Sequence, residues 1–191
     1  MKSLLKGLLH AVFLLLAFPC ALTSGFGRIE AVYLFWAHFS ALLPGLPGDY
    51  FRIAYYRLTL EECSLESRIE FGSFFAHPQA RMGRHVYIGP YCVLGRTSIG
   101  DRTQIAGAVQ ILSGSRQHAR DREGRIQGAE QDTFETVAIG ADCWIGAGVI
   151  VMASVGKGTT VGAGSVVTKA LPPDSVAVGS PARVIRSESE A

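Results

Sequence analysis

The stretch I-G-A-D-C-W-I-G-A-G-V-I-V-M-A-S-V-G-K-G-T-T-V-G-A-G-S-V-V, residues 139 to 167, decides the fold. Ile139, Ile145 and Val151 are spaced by six, as are Val155, Val161 and Val167, and a glycine follows most of them: Gly140, Gly146, Gly156 and Gly162. One aliphatic residue per six cannot make an amphipathic helix, which needs roughly three to four per two turns, and strict alternation is absent too. Short strands separated by tight corners satisfy the pattern, each placing one aliphatic residue inside a narrow prism. The small residue that follows lets the backbone turn closely.

Working outward, the same spacing recurs at Met82, Ile88 and Leu94 and at Ile99, Ile105 and Ile111, with Gly83, Gly89, Gly95, Gly100 and Ala106 after them. Three faces make a triangular coil, so these triplets predict four stacked coils whose aliphatic ladders fill the interior, as in other solenoids. An irregular earlier coil around Ile69 and Phe75 is expected to cap the stack.

The units I-G-P-Y-C-V (88 to 93), I-G-A-D-C-W (139 to 144) and V-G-A-G-S-V (161 to 166) resemble those of the hexapeptide-repeat acyltransferases, and the resemblance runs from about residue 64 to 187. It implies an all-β solenoid, a left-handed parallel β-helix, assembled as a homotrimer with active sites in the clefts between prisms. It also implies transfer of an acyl group, usually acetyl, from acyl-coenzyme A to a hydroxyl, without a metal. The sugar and exopolysaccharide O-acetyltransferases are the most similar members.

The period breaks between Ile111 and Ile139, where residues 112 to 136 form a polar insertion rich in both charges. Insertions in solenoids become loops on one face, often the binding face. His118 lies within it. Acyl transfer to an alcohol needs a base with a pKa near working pH, which histidine supplies. The segment resembles the family's loop, in which a small or polar pair, here Ser113 and Gly114, precedes the catalytic histidine. It departs from that pattern in placing Ser115, Arg116 and Gln117 before His118. His77 and His85 are the rival bases on the coils. Arg116, Arg120, Arg122 and Arg125 alternate with Asp121 and Glu123 as a solvated surface, with a phosphate clamp by one arginine as the alternative reading.

The segment V-V-T-K-A-L-P-P-D-S-V-A-V-G-S-P-A-R-V-I-R, residues 166 to 186, resembles the family's donor-binding end. Carried over, Ala163 and Thr168 line the pantetheine groove, Ala147 marks where it begins, and Lys169, Arg183 and Arg186 face the nucleotide phosphates. The same segment, with Pro172 and Pro173, also reads as a cap on the solenoid's edge. Trp144 occupies a variable, outward position, bordering the cleft by resemblance or packing between subunits.

Residues 1 to 63 differ in composition from residues 64 to 191 and read as an apolar helical module that associates with a membrane. An apolar run from Ala11 to Phe18 follows Lys2 and Lys6, and a second, Ala31 to Leu46, ends at Pro44, Gly45, Pro47 and Gly48. A bilayer span needs about 20 apolar residues, so two segments dipping into one leaflet fit better than a transmembrane hairpin. The cytoplasmic face of the cell membrane is the expected location, with a sugar or lipid-linked saccharide as acceptor. Between Asp49 and Cys63, Tyr50, Phe51, Tyr55 and Tyr56 mix with Arg52 and Arg57. They pack a helix on the body, form an interfacial belt, or do both. A formal charge of +2 without basic runs is too small to imply nucleic-acid binding, and no nucleic-acid partner is expected. Cys20, Cys63, Cys92 and Cys143 are too scattered for a metal or redox motif and read as reduced thiols. Two rival functions stand on the same fold: a non-catalytic scaffold, and a γ-carbonic-anhydrase-like metal enzyme, which needs three converging histidines.

Overall fold

A computed structural model describes residues 2–114, 118–128 and 134–187, with the side chains of Lys2 and Ser3 left aside. Three helices come first, α1 (Lys2–Thr23), α2 (Glu30–Ala41) and α3 (Gly45–Thr59), and a parallel β-solenoid follows. Its first face stacks Glu62–Cys63, Arg81–Met82, Thr97–Ile99 and Val137–Ile139, extended by bridges through Val155 and Leu171. The second stacks Arg68–Ile69, Tyr87–Ile88, Gln104–Ile105, Trp144–Ile145, Thr160–Val161 and Ser175–Gly179. The third stacks Phe74–Phe75, Val93–Leu94, Gln110–Ile111, Ile150–Val151 and Val166–Val167.

The stack is therefore longer than the four expected coils. Cys63, Ile69 and Phe75 form a regular first coil in full register with the next, and Leu171 with Ala177 begins a sixth turn. The first coil was expected around Ile69 and Phe75 but as an irregular one, because Cys63 and Phe75 fill rungs where an aliphatic residue was sought. All these interior residues are buried.

The small residue after each rung has a different reason from the one expected. A Cβ on Gly146 would stand 2.5 Å from the Ala163 amide nitrogen, and one on Gly89 would stand 2.7 Å from the Ala106 carbonyl carbon, both in the adjacent coil. Contact between coils demands the absent side chain. The left-handed backbone of the corner falls three positions after the rung, at His85, Arg102 and Asp142 on one edge and at Tyr91, Ala108 and Gly148 on another.

Corner hydroxyls join neighbouring coils. Ser73 Oγ donates to Gly89 O and accepts from the Cys92 amide, and Thr103 Oγ1 does the same with Gly140 O and the Cys143 amide. Cys92 and Cys143 occupy these same columns, their thiols directed at Ala106 O and Gly156 O. Burial pushes both thiols up, which suits corner residues rather than nucleophiles.

The two ends are closed differently. At the C-terminal end Ala182–Ser187 folds back antiparallel on Ser175–Gly179, so a strand, and not Pro172 and Pro173 alone, covers the edge. At the other end α2 and α3 cover the first coil. Tyr33 Oη donates to Phe75 O, Tyr56 Oη accepts from the Phe75 amide, and Tyr55 Oη donates to Tyr33 O. Arg52, fully buried, donates to Ile69 O, Ser40 O and Leu43 O and pairs with Asp49 at 2.5 Å. An interfacial belt built on Arg52, Tyr55 and Tyr56 is thereby excluded, because all three are inside the protein. Helix α1 packs on α3 through Phe13 and His10 against Tyr50. Leu5, Leu8, Val12, Leu15, Leu16 and Leu22 remain exposed. It is long and apolar enough to cross a bilayer, whereas α2, at 12 residues, is too short.

Candidate active site

The insertion leaves the solenoid after Gln110–Ile111, at the edge between the third and first faces. Its two roots are tied together there. Ser113 Oγ accepts the Arg96 amide at 2.8 Å, the Glu135 amide donates to Ser113 O, and the Val137 amide donates to Arg96 O. Ser113 is thus a buried fastening of the loop.

Beyond the roots, residues 118–128 form a small hairpin. Arg120 and Ile126 bridge antiparallel, and the Gln127 amide donates to Ala119 O. Asp121 Oδ1 accepts the amides of Glu123 and Arg125, while Arg120 Nη1 donates to Gly124 O, where φ is +80°. Asp121 therefore organises a turn instead of neutralising arginines. Among the described residues, Arg120, Arg122 and Arg125 make no ion pair; Arg116 lies outside the described residues.

The hairpin fixes His118. Its Nδ1 lies 3.0 Å from Gln127 O, and the ring is exposed. A carbonyl oxygen only accepts, so Nδ1 is the donor of this contact, and among the described residues Nε2 has no hydrogen-bond partner. Nothing in the sequence marks Gln127 for this task, because the contact exists only once the chain has doubled back.

The rival histidines occupy different settings. His85 sits at a distant corner, between the first and second faces, 3.7 Å from Glu66. His77 is on the loop's own edge, two residues after the rung Phe75, as Arg96 and Ser113 follow Leu94 and Ile111. Its ring packs 4.7 Å from Phe134 at the loop's return, and its Nδ1 lies 3.8 Å from Glu30 at the start of α2. Burial holds His77 below the usual imidazole value, partly offset by Glu30. Arg96, which the sequence reading passed over, reaches Phe134 O at 3.5 Å and keeps Nε out of solvent without a partner. Its repeat position, level with His77 and Ser113, was the available signal.

The residues expected to hold the donor divide among three places in one chain. Thr168 and Lys169 follow the rung Val167 on the same edge as the loop, two coils further along. Ala147 and Ala163 stack at the edge between the second and third faces, where the Gly164 amide donates to Ala147 O, and Arg183 pairs with Val178 beside them. Trp144, 59 % exposed, projects from the second face, whose last strands place Arg186 opposite Val176. The third face of the last coils lies between Lys169 and Ala163, so those two edges bound a single strip of surface. Trp144 and Arg186 lie around the corner from it. Among the described residues no three His, Cys, Asp or Glu side chains are grouped as a metal site, and His77, His85 and His118 do not converge.

No protein-family profile matches the chain. The Schizosaccharomyces pombe protein named "Putative acetyltransferase C18B11.09c" is 40% identical over 91 residues, 47% of this chain and 42% of that protein. A Staphylococcus aureus protein of the same designation is 48% identical over 52 residues, 26% of each chain. The chain thus spans less than half the length of these curated relatives. Among solved structures, a maltose O-acetyltransferase from Clostridium difficile 630 is 26% identical with a TM-score of 0.66, over 84% of this chain and 88% of that one. The hexapeptide-repeat acetyltransferase VCA0836 from Vibrio cholerae shares the fold at 24% identity and a TM-score of 0.66, over 83% and 92%. In repeat, coil stack and sequence, the chain resembles the hexapeptide-repeat acetyltransferases, whose left-handed parallel β-helix it shares.

Proposed function

We propose that this chain is an O-acyltransferase that moves an acetyl-type group from acyl-coenzyme A to a sugar hydroxyl, working at the cytoplasmic face of a membrane to which α1 holds it. The observation that carries the reading is His118, exposed on a loop rooted on the Lys169 edge and held by Gln127 O, with no partner for Nε2 among the described residues. VCA0836 has been solved with acetyl coenzyme A, and the polySia-specific acetyltransferase NeuO, at a TM-score of 0.52 and 26% identity, is a further neighbour. The first supports the donor class and the second the acceptor class.

In this mechanism Nε2 of His118 takes the proton of the acceptor hydroxyl while its oxygen attacks the thioester carbonyl. The tetrahedral oxyanion collapses, the carbon–sulfur bond breaks, and the coenzyme A thiolate recovers the proton from the imidazolium. Gln127 O keeps the ring's orientation and its tautomer through the cycle. Lys169, Arg183 and Arg186 would hold the donor's phosphates, and Ala147, Ala163 and Thr168 leave room for its pantetheine arm. Because one chain spreads these groups over separate edges, a threefold assembly that sets one copy's loop against the next copy's groove completes the site.

Calorimetric titration of the detergent-purified chain with acetyl coenzyme A tests the reading. Saturable binding that weakens in Lys169→Ala/Arg183→Ala is the expected result. A well-folded protein that binds no donor overturns it and leaves a membrane-bound scaffold.

A further inference from the structure

Helix α1 has two sides of different character. Leu5, Leu8, Val12, Leu15, Leu16 and Leu22 are exposed and, at about 100° per residue, fall within an arc of about 120°. Lys6, His10, Phe13 and the buried Ala17 mark the opposite side, where His10 and Phe13 meet Tyr50 of α3. Among the described residues Thr23 is the one polar side chain on the apolar arc, and its hydroxyl is already engaged. It lies 3.0 Å from Pro19 O and from Cys20 O, to which it donates, and it accepts from Trp36 Nε1 at 2.9 Å. A polar group satisfied within the protein needs no water. Trp36 in turn meets Phe35 and Phe39 edge-on, and both are exposed on α2 together with Leu42. The apolar sides of the two helices therefore join at the bond between Thr23 and Trp36.

Length alone would let α1 cross a bilayer: 22 residues make about 33 Å, against a hydrocarbon core of about 30 Å. Its packing opposes that orientation, because α1 is docked along a body that carries charge at both of its ends. Near its start, Lys6 and His10 share a cleft with Asp49 and the exposed Glu66 and Arg68. Just past its end, a Cβ on Gly27 would stand 2.6 Å from Thr59 O and 2.9 Å from Pro78 Cβ. Pro78 O accepts the amide of Glu61, whose carboxylate pairs with Arg81 at 2.8 Å. Between these points α3 runs alongside, turning Tyr50 to α1 and Arg52 and Tyr56 to the first coil. An α1 set upright in a membrane would carry these charged corners into hydrocarbon, where each ion is costly. Laid flat, it keeps them outside and immerses only the arc of leucines.

We propose that α1 lies in the plane of one leaflet without crossing it, and that the outer side of α2 completes the seat. The proposal rests on the membrane role given to α1 above and adds the orientation that apolar length does not decide. Seated this way, the first coil is the end of the solenoid nearest the lipid. The root of the loop, two coils on at Ile111, stands about 10 Å beyond it.

The test is site-directed spin labelling of the full chain in vesicles of dioleoyl phosphatidylcholine and dioleoyl phosphatidylglycerol. Nitroxides are placed one at a time at Leu8→Cys, Leu15→Cys, Leu22→Cys and Phe39→Cys in a Cys20→Ala background. All four labelled positions are exposed, so the packing on α3 stays intact, and the remaining cysteines are buried. Depth is read from the ratio of collisions with oxygen and with a water-soluble nickel chelate. Four labels at one shared depth, about 5–10 Å into the boundary between headgroups and acyl chains, is the expected result. Leu15 lying about 10 Å deeper than Leu8 and Leu22 is the signature of an upright helix and overturns the proposal, while leaving the membrane role of α1 in place. A Phe39 label in water beside immersed α1 labels overturns the seat shared with α2. Four labels in water refute the membrane role itself.

Discussion

Replacing Arg52 by methionine should detach the helical module from the solenoid, and the size of the effect follows from what the guanidinium touches. It donates to Ile69 O at 2.9 Å, Ser40 O at 2.9 Å and Leu43 O at 2.7 Å, and pairs with Asp49. Gly48 leaves the space for it, since a Cβ there would stand 3.0 Å from Arg52 Nη1. Methionine fills similar volume but withdraws a donor from carbonyl oxygens of three segments, the first coil, the end of α2 and the turn into α3; Ser40 O keeps the Leu43 amide at 3.2 Å, so Ile69 O and Leu43 O lose most. Each orphaned buried acceptor costs about 1–3 kcal/mol, and breaking a buried pair about 3–5 kcal/mol in all. Asp49 keeps Arg68, at 2.9 Å, so the middle of that range applies and not its upper end, and about 4 kcal/mol is expected. For a chain of 191 residues this is a fall in Tm of roughly 8–16 °C. The assay is thermal unfolding in detergent followed by circular dichroism, with Arg52→Lys as the companion, because an ammonium keeps the charge but not the fork that reaches three carbonyls. Lysine should recover less than half of the loss. A methionine variant that melts within about 2 °C of wild type would refute the view that this arginine fastens the module.

Other expectations follow from the same geometry. His118→Ala should lower turnover roughly a hundredfold or more with acetyl coenzyme A binding retained, read by coenzyme A release and calorimetry; unchanged turnover removes His118 from the mechanism. Gly146→Val should cost at least ~2–3 kcal/mol in a denaturant titration, since its side chain would collide with the Ala163 backbone; a neutral result would deny that coil spacing sets the repeat. His77 is held below its unfolded value of 6.5, so the unfolded chain binds the extra proton first and stability present above that value declines as pH falls through it. Melting temperatures of wild type should therefore drop more between pH 7.5 and pH 5 than those of His77→Phe, and parallel curves would contradict this. Cys92 and Cys143, buried and with raised pKa, should resist iodoacetamide at pH 8 until the solenoid is unfolded, as mass spectrometry of the labelled protein would register.

Repetition explains what the sequence revealed and what it concealed. A rung such as Ile145 pairs with its counterparts Ile105 and Val161 in the adjacent coils, so its strand neighbours lie at a fixed place in the repeat and the period is visible directly. The same logic located the loop, because an interruption is as visible as the period it breaks. The reason for the glycines was misplaced, since close stacking and left-handed corners fall on different positions of one unit and only coordinates separate Gly146 from Gly148. His118 was legible as a residue type in the inserted loop; the Gln127 contact that orients it was not, because it depends on a hairpin with no repeat behind it.

The N-terminal module shows a different limit, with a physical cause. A parallel solenoid has two open ends, and each must be covered or it becomes an edge for pairing. The C-terminal end is covered by its own returning strand, Ala182–Ser187, which buries little apolar surface. The N-terminal end is covered by α2 and α3, whose tyrosines and Arg52 turn inward to reach the first coil. In composition, a helix that caps a solenoid and a helix that enters a lipid interface look alike, both aromatic and apolar with a few cations. They diverge in which face is left over. In α3 Ile53, Ala54, Tyr55 and Tyr56 are buried in succession, whereas α1 buries Ala17, Cys20 and Ala21 and leaves its leucines outside. The two helices therefore differ in the face they bury, although the sequence presented them as one apolar block, and the exposed face of α1 is the one that the proposed function sets against a membrane.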